Sequence, residues 1–123
     1  MVTAKSKTSA ARERVLARLR KICAALPDVV EKPSFGNPAF RAGTRPFVVL
    51  DRYKRTDCIF IYVDPGRREE LLANDAFFKA PYDPREKALC RTLEKIDWRE
   101  MQALIGESYR LVRPVKKRLR TMS

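Results

Sequence analysis

The sequence predicts an α+β domain whose strands form an antiparallel sheet, and three observations lead there. Apolar residues recur at helical spacing through Val15, Leu16, Leu19, Ile22, Cys23 and Leu26. After Pro27 the chain changes to short β-branched and aromatic segments separated by turn residues. Helical spacing returns at Asp97. Consecutive strands joined by short connections imply a meander, and 123 residues suffice for one core and one domain.

Taken in order, residues 1–8 hold Lys5 and Lys7 with little apolar content and read as a flexible basic arm. Ser9 is then placed to cap the first helix, and Pro27 to stop it. Phe35-Gly36-Asn37-Pro38 is a tight turn, because Gly36 and Asn37 tolerate positive φ. Strands are expected at Ala39–Ala42 and Phe47–Leu50, joined through Gly43-Thr44, with a polar loop at 51–57. Cys58–Val63 carries the strongest strand signal, in a run of short segments that begins at Val29.

Asp64-Pro65 opens a short helix anchored by Leu71 and Leu72 and ended by Asn74-Asp75. Phe77-Phe78 is expected to plug the core edge, and Ala88–Leu93 to form the final strand. Asp97, with Glu100 three residues on, caps the last helix, and Trp98 should pack where that helix begins. Pro114 ends the domain and leaves a basic tail at 115–123. The expected order is therefore α–β–β–β–β–α–β–α.

The net charge of +12 is unevenly spread: residues 1–27 contribute +6, residues 97–123 contribute +4, and the centre only +2. Such a field attracts polyanions, nucleic acid first and an acidic protein after it. The longest apolar run, Cys58 to Val63, is far short of the roughly 18 residues a membrane span needs. No apolar run near Met1 resembles a secretory signal. The three cysteines are widely separated, which favours buried thiols in a reducing compartment. A cytoplasmic address is expected.

Catalytic chemistry finds few carriers. With no histidine, Ser-His-Asp and Cys-His nucleophile systems are excluded, and so are imidazole metal sites. The four glycines are scattered and form no phosphate loop. Asp51, Asp57 and Asp64 stand among Arg52, Lys54, Arg55 and Arg67, where ion pairs are the expected outcome rather than a cation site. The reading is therefore a binding protein and not an enzyme, with no catalytic residues, metal or cofactor.

Several segments, in order, resemble the MmcQ/YjbR-like family of small bacterial proteins. They are Ser34-Phe35-Gly36-Asn37-Pro38-Ala39-Phe40, Val49-Leu50-Asp51-Arg52, Val63-Asp64-Pro65, Pro81-Tyr82, and Asp97-Trp98 through Glu107-Ser108-Tyr109-Arg110-Leu111-Val112. The resemblance implies a CyaY-like two-layer sandwich, an antiparallel sheet with helices packed on one face. It also implies a double-wing mode of DNA binding, with hairpins as the wings. After Pro81-Tyr82 the family's glycine and tryptophan are replaced by Asp83-Pro84-Arg85-Glu86-Lys87, so this turn must be built differently.

For DNA, the expected first wing is Arg52-Tyr53-Lys54-Arg55, three cations and one aromatic suited to phosphate contact and stacking. Arg41 and Arg45, flanking the neighbouring turn, are the expected second wing. Arg14, Arg18 and Lys21 form a basic stripe on the first helix that adds backbone attraction. The alternative is a chaperone-like adaptor that holds an acidic protein partner on an open sheet face bearing Phe60 and Tyr62. Iron handling, suggested by the fold alone, needs an acidic ridge, and the first helix has Glu13 as its only acid.

Overall fold

The computed structural model describes the backbone of residues 2–114 and the side chains of residues 10–114. Helix α1 spans Val2–Ala24, followed by strands β1 (Val29–Glu31), β2 (Ala39–Ala42), β3 (Arg45–Tyr53) and β4 (Thr56–Tyr62). Helix α2 (Pro65–Leu72), strands β5 (Phe77–Lys79) and β6 (Ala88–Thr92), and helix α3 (Trp98–Val112) complete the chain. The six strands form one antiparallel sheet in the order β1-β2-β3-β4-β6-β5. Helical residues share one core cluster with one side of the sheet, while the cluster on the other side contains none. This is the two-layer α+β sandwich that was expected.

Three local expectations are corrected. Helix α1 begins at Val2, so Ser9 is an interior residue and not its cap, and the backbone of residues 2–8 is helical. The polar stretch after Leu50 continues both strands: Arg52 pairs with Asp57 and Tyr53 with Thr56, leaving only Lys54-Arg55 as the turn. Ladder bonds outweigh side-chain polarity there, because both backbones are already in register. Phe77-Phe78 is a strand, pairing with Arg91 and Cys90, and it alternates its two rings between the faces of the sheet. The tail at 115–123 lies outside the described residues.

The caps follow the sequence. Asp64 accepts from the Gly66 amide at 2.8 Å and Asp97 from those of Arg99 and Glu100 at 3.1 and 3.3 Å, satisfying donors left open by the first turns. In the departing segment Asp83 builds the turn, its Oδ2 accepting from the Ala88 amide at 2.7 Å.

The main core lies between the sheet and the helices, where Leu50, Ile59, Ile61 and Leu89 meet Leu19, Leu104 and Ile105. Each such side chain stabilises the fold by about 1.5–3 kcal/mol relative to exposure. Phe40 pairs with Val48 and Arg41 with Pro46, so Phe47 is the extra residue of a bulge. The bulge lets Phe47 and Val48, adjacent in sequence, both enter this core. Ser108 locks α3 to the sheet: its Oγ donates to the Phe47 carbonyl and accepts from the Tyr62 amide. Trp98 packs against the core at the start of α3, as expected.

Candidate nucleic-acid interface

In a meander, successive hairpin turns alternate between the two ends of the sheet, and this decides which cations can act together. The Lys54-Arg55 turn closes the β3–β4 hairpin with φ of 49° and 69°, both in the left-handed region. That is the two-residue geometry matched to strand twist, usually filled by Asn-Gly. Here two exposed cations occupy it, and among the described residues neither has an ion-pair partner. Holding a residue in sparsely populated backbone space costs on the order of 1 kcal/mol or more.

Below the tip, Arg52 pairs with Asp57 at 2.8 Å, which in turn pairs with Arg12 at 2.9 Å, so Arg52 is partly neutralised. Hydrogen bonding to Asp57, then its charge, holds the Arg52 guanidinium above its ordinary pKa. Tyr53 is half-buried and meets Tyr82 edge-on, with ring centroids 6.4 Å apart, while Lys54 Nζ lies 5.5 Å from the Tyr53 ring. Tyr53 is thus already engaged with a ring and a cation, and Tyr82 presents the exposed surface of the pair.

The turn between β1 and β2 lies at the same end. Ser34 and Asn37 exchange backbone hydrogen bonds across Phe35 and Gly36, whose φ values are 51° and 81°. Asn37 connects this turn to the base of the β3–β4 hairpin, its Nδ2 donating to Asp51 Oδ1 at 3.1 Å. Its Oδ1 accepts from Arg12 at 3.0 Å. Phe35 is fully exposed, at 103%. The described residues include four exposed large hydrophobics, and both aromatic ones, Phe35 and Tyr82, belong to this end. Sequence reasoning passed over Phe35 as part of a turn. The available signal was that an aromatic in the middle of a two-residue turn has no core to enter.

Arg41 and Arg45 do not join this group. Their turn, Gly43-Thr44, lies at the other end of β3, separated by about 27 Å of strand at ~3.4 Å per residue. Arg41 donates to the carbonyls of Thr44 and Pro33 at 3.0 and 3.4 Å, bracing the connections on either side of β2. Arg45 sits over the Tyr62 ring at 5.8 Å.

On α1, Arg14, Arg18 and Lys21 are exposed on one face. Arg12, two residues before Arg14, is anchored beside Leu50 and Asp51, which sets the Arg14 end of the stripe toward the Lys54-Arg55 end of the sheet. Arg14 and Arg18 border a groove of about 300 Å³ with Leu93, Ile96 and Trp98, and the Arg18 guanidinium lies 5.1 Å from the Trp98 ring.

Of the three acids expected to form ion pairs, only Asp57 does so among the described residues, lying between Arg12 and Arg52. Asp51 instead accepts from Asn37 and the Arg52 amide, and Asp64 caps α2. Among the described residues no three metal-ligating side chains cluster, and no helix is long and apolar enough to cross a membrane. All three thiols are free and buried. Burial, then the charge of Glu31, pushes Cys23 up to about 12.

Two solved structures share this architecture. One is the Deinococcus radiodurans protein DR2400, described as a DUF419 domain, with 23% identity and a TM-score of 0.68 over 78% of this chain and 76% of that one. The other is a Pseudomonas syringae protein with 18% identity and a TM-score of 0.65, over 79% of this chain and 97% of its own. No curated protein matches the chain. The YjbR family model matches residues 24–111, from the end of α1 to the last turn of α3, and the chain belongs to the YjbR family.

Proposed function

We propose that this protein binds nucleic acid, DNA in the first place, through the sheet end that carries the Lys54-Arg55 turn. The observation that carries the reading is one juxtaposition. Two exposed cations, without an ion-pair partner among the described residues, sit on a strained turn, at the same end as the two exposed aromatics Phe35 and Tyr82. Cations contact phosphates and aromatics stack on bases, so the pair of features fits a polyanion with flat apolar faces. The second wing is then the Phe35-Gly36 turn, and Arg41 and Arg45 are bracing residues outside the docking surface. Arg14 and Arg18 extend the positive field along α1, with Lys21 farther down the helix. The role is binding rather than catalysis, and three buried free thiols support a reducing, cytoplasmic setting.

The test is a titration of a labelled duplex at two salt concentrations, using the full chain. Changing Arg52, Lys54 and Arg55 to Ala removes up to about three counterion-release units from the log–log salt slope, each near −0.9. A second variant, with Lys116, Lys117, Arg118 and Arg120 changed to Ala, retains measurable duplex binding. If the tail variant alone abolishes binding and the turn variant binds normally, the folded domain is not the docking surface.

A second reading rests on the helix-free face of the sheet. There Phe60 and Tyr62 are half-buried with ring centroids 5.3 Å apart, beside the small cluster of Cys58, Ala80, Ala88 and Cys90. An adaptor docking a protein on this face would hold its partner with little salt dependence, whereas phosphate contact weakens steeply with salt.

A further inference from the structure

From the placement of Phe35 we infer that the protein selects DNA with an unstacked or extruded base over perfectly paired duplex, with Phe35 as the inserting side chain. The inference rests on the nucleic-acid reading above and deepens it. Phe35 is the most exposed large apolar side chain among the described residues, at 103%. It stands at φ 51°, in the left-handed region, followed by Gly36 at 81°. The ring stands at the crest of a two-residue turn, outside the domain's own core.

The turn is stiffly founded. Ser34 and Asn37 exchange two hydrogen bonds at its neck, at 2.8 and 3.0 Å. Asn37 is in turn held by Arg12 and Asp51, and the Pro33 carbonyl accepts from Arg41. A ring presented on a braced turn loses little conformational freedom on insertion. Such preorganisation suits a wedge and would be wasted on a loosely solvated tip.

Insertion into intact duplex must first separate two stacked base pairs, which costs a few kcal/mol per step. At a bulge or other extruded base that separation is already made. The stacking gained by the ring then appears as affinity, and selectivity follows from the DNA's structure rather than from base-edge hydrogen bonds. The neighbouring Lys54-Arg55 turn supplies phosphate contact that is the same for both DNAs.

The experiment compares a labelled perfect duplex with the same duplex carrying a two-nucleotide bulge, at matched salt. The protein as it stands should prefer the bulged DNA by roughly tenfold or more. Phe35→Ala should lose most of that preference, its affinity falling several-fold more on the bulged DNA than on the duplex with the salt slope unchanged, since stacking is not a counterion effect. Phe35→Trp should retain the preference. Equal affinity of the unaltered protein for both DNAs, or a preference that survives in Phe35→Ala, overturns the inference and leaves the nucleic-acid reading standing. An equal loss on both DNAs makes Phe35 a general contact and likewise overturns the selectivity. Failure to bind either DNA overturns inference and reading together.

Discussion

Arg12 on α1 donates to Asp57 on β4 at 2.9 Å, and its guanidinium also reaches Asn37 Oδ1 and the carbonyls of Leu50 and Asp51. One side chain therefore joins the first helix, the Phe35 turn and both strands of the hairpin that carries Lys54 and Arg55. Arg12 lies outside the stretch matched by the family model, so this chain braces the turns with a residue from beyond that stretch.

Replacing Arg12 by Ala is expected to destabilise the fold by about 2 kcal/mol, since it removes four donors from a half-buried network and leaves acceptors unpaired. Arg12→Lys should recover only part, because an ammonium cannot reproduce the planar fork. Urea unfolding measures both, and a loss below about 0.5 kcal/mol would place Arg12 among ordinary surface residues.

Two glycines separate backbone strain from steric contact. At Gly36, with φ 81°, an added Cβ meets nothing within 4 Å, so Gly36→Ala should cost only about 1 kcal/mol of left-handed strain. At Gly43, with φ 74°, the same Cβ falls 2.8 Å from Pro114 Cγ. Gly43→Ala should therefore cost about 2 kcal/mol, strain and repulsion adding. Thermal melts of the two variants should differ by several degrees, and equal melts would show that the chain end after α3 yields freely.

Cys23 gives the protein an alkaline weakness. Its native thiol is pushed up to about 12 by burial and by Glu31, whereas an unfolded thiol titrates near about 8.5. A folded pKa above the unfolded one means that this contribution is complete below about pH 8.5 and is lost as pH rises toward 12. In Cys23→Ala the contribution is absent at every pH. The stability gap between the two proteins should then shift against the wild type by about 1.5 kcal/mol between pH 8.5 and 10. A gap that stays constant in urea titrations would mean that the thiolate is tolerated in place.

Much of the secondary structure was legible because its signals are local. Asp64-Pro65 and Asp97 announce helix starts through their own side chains, and β2 falls on its expected residues. Elements went unread where a pairing strand, rather than the segment's own side chains, decides the conformation. Phe77–Lys79 is a strand because β6 supplies its ladder, and Arg52 to Asp57 is paired backbone because β3 and β4 were already aligned.

By itself the sequence determined the fold class, the family, the aspartate caps that open α2 and α3 and the basic character of the chain, all properties of residues read one at a time or at short spacing. Tertiary structure alone decided which cations stand together. Arg41 and Arg45 are close to Arg52 in sequence but lie at the other end of β3, since consecutive turns of a meander face opposite ways. Phe35, inconspicuous in sequence, becomes the exposed aromatic beside the basic turn through Asn37, Arg12 and Asp51, contacts made by residues 14 to 39 positions apart. Charge is additive along a chain, but a binding surface is a matter of geometry, and only the folded sheet sets that geometry.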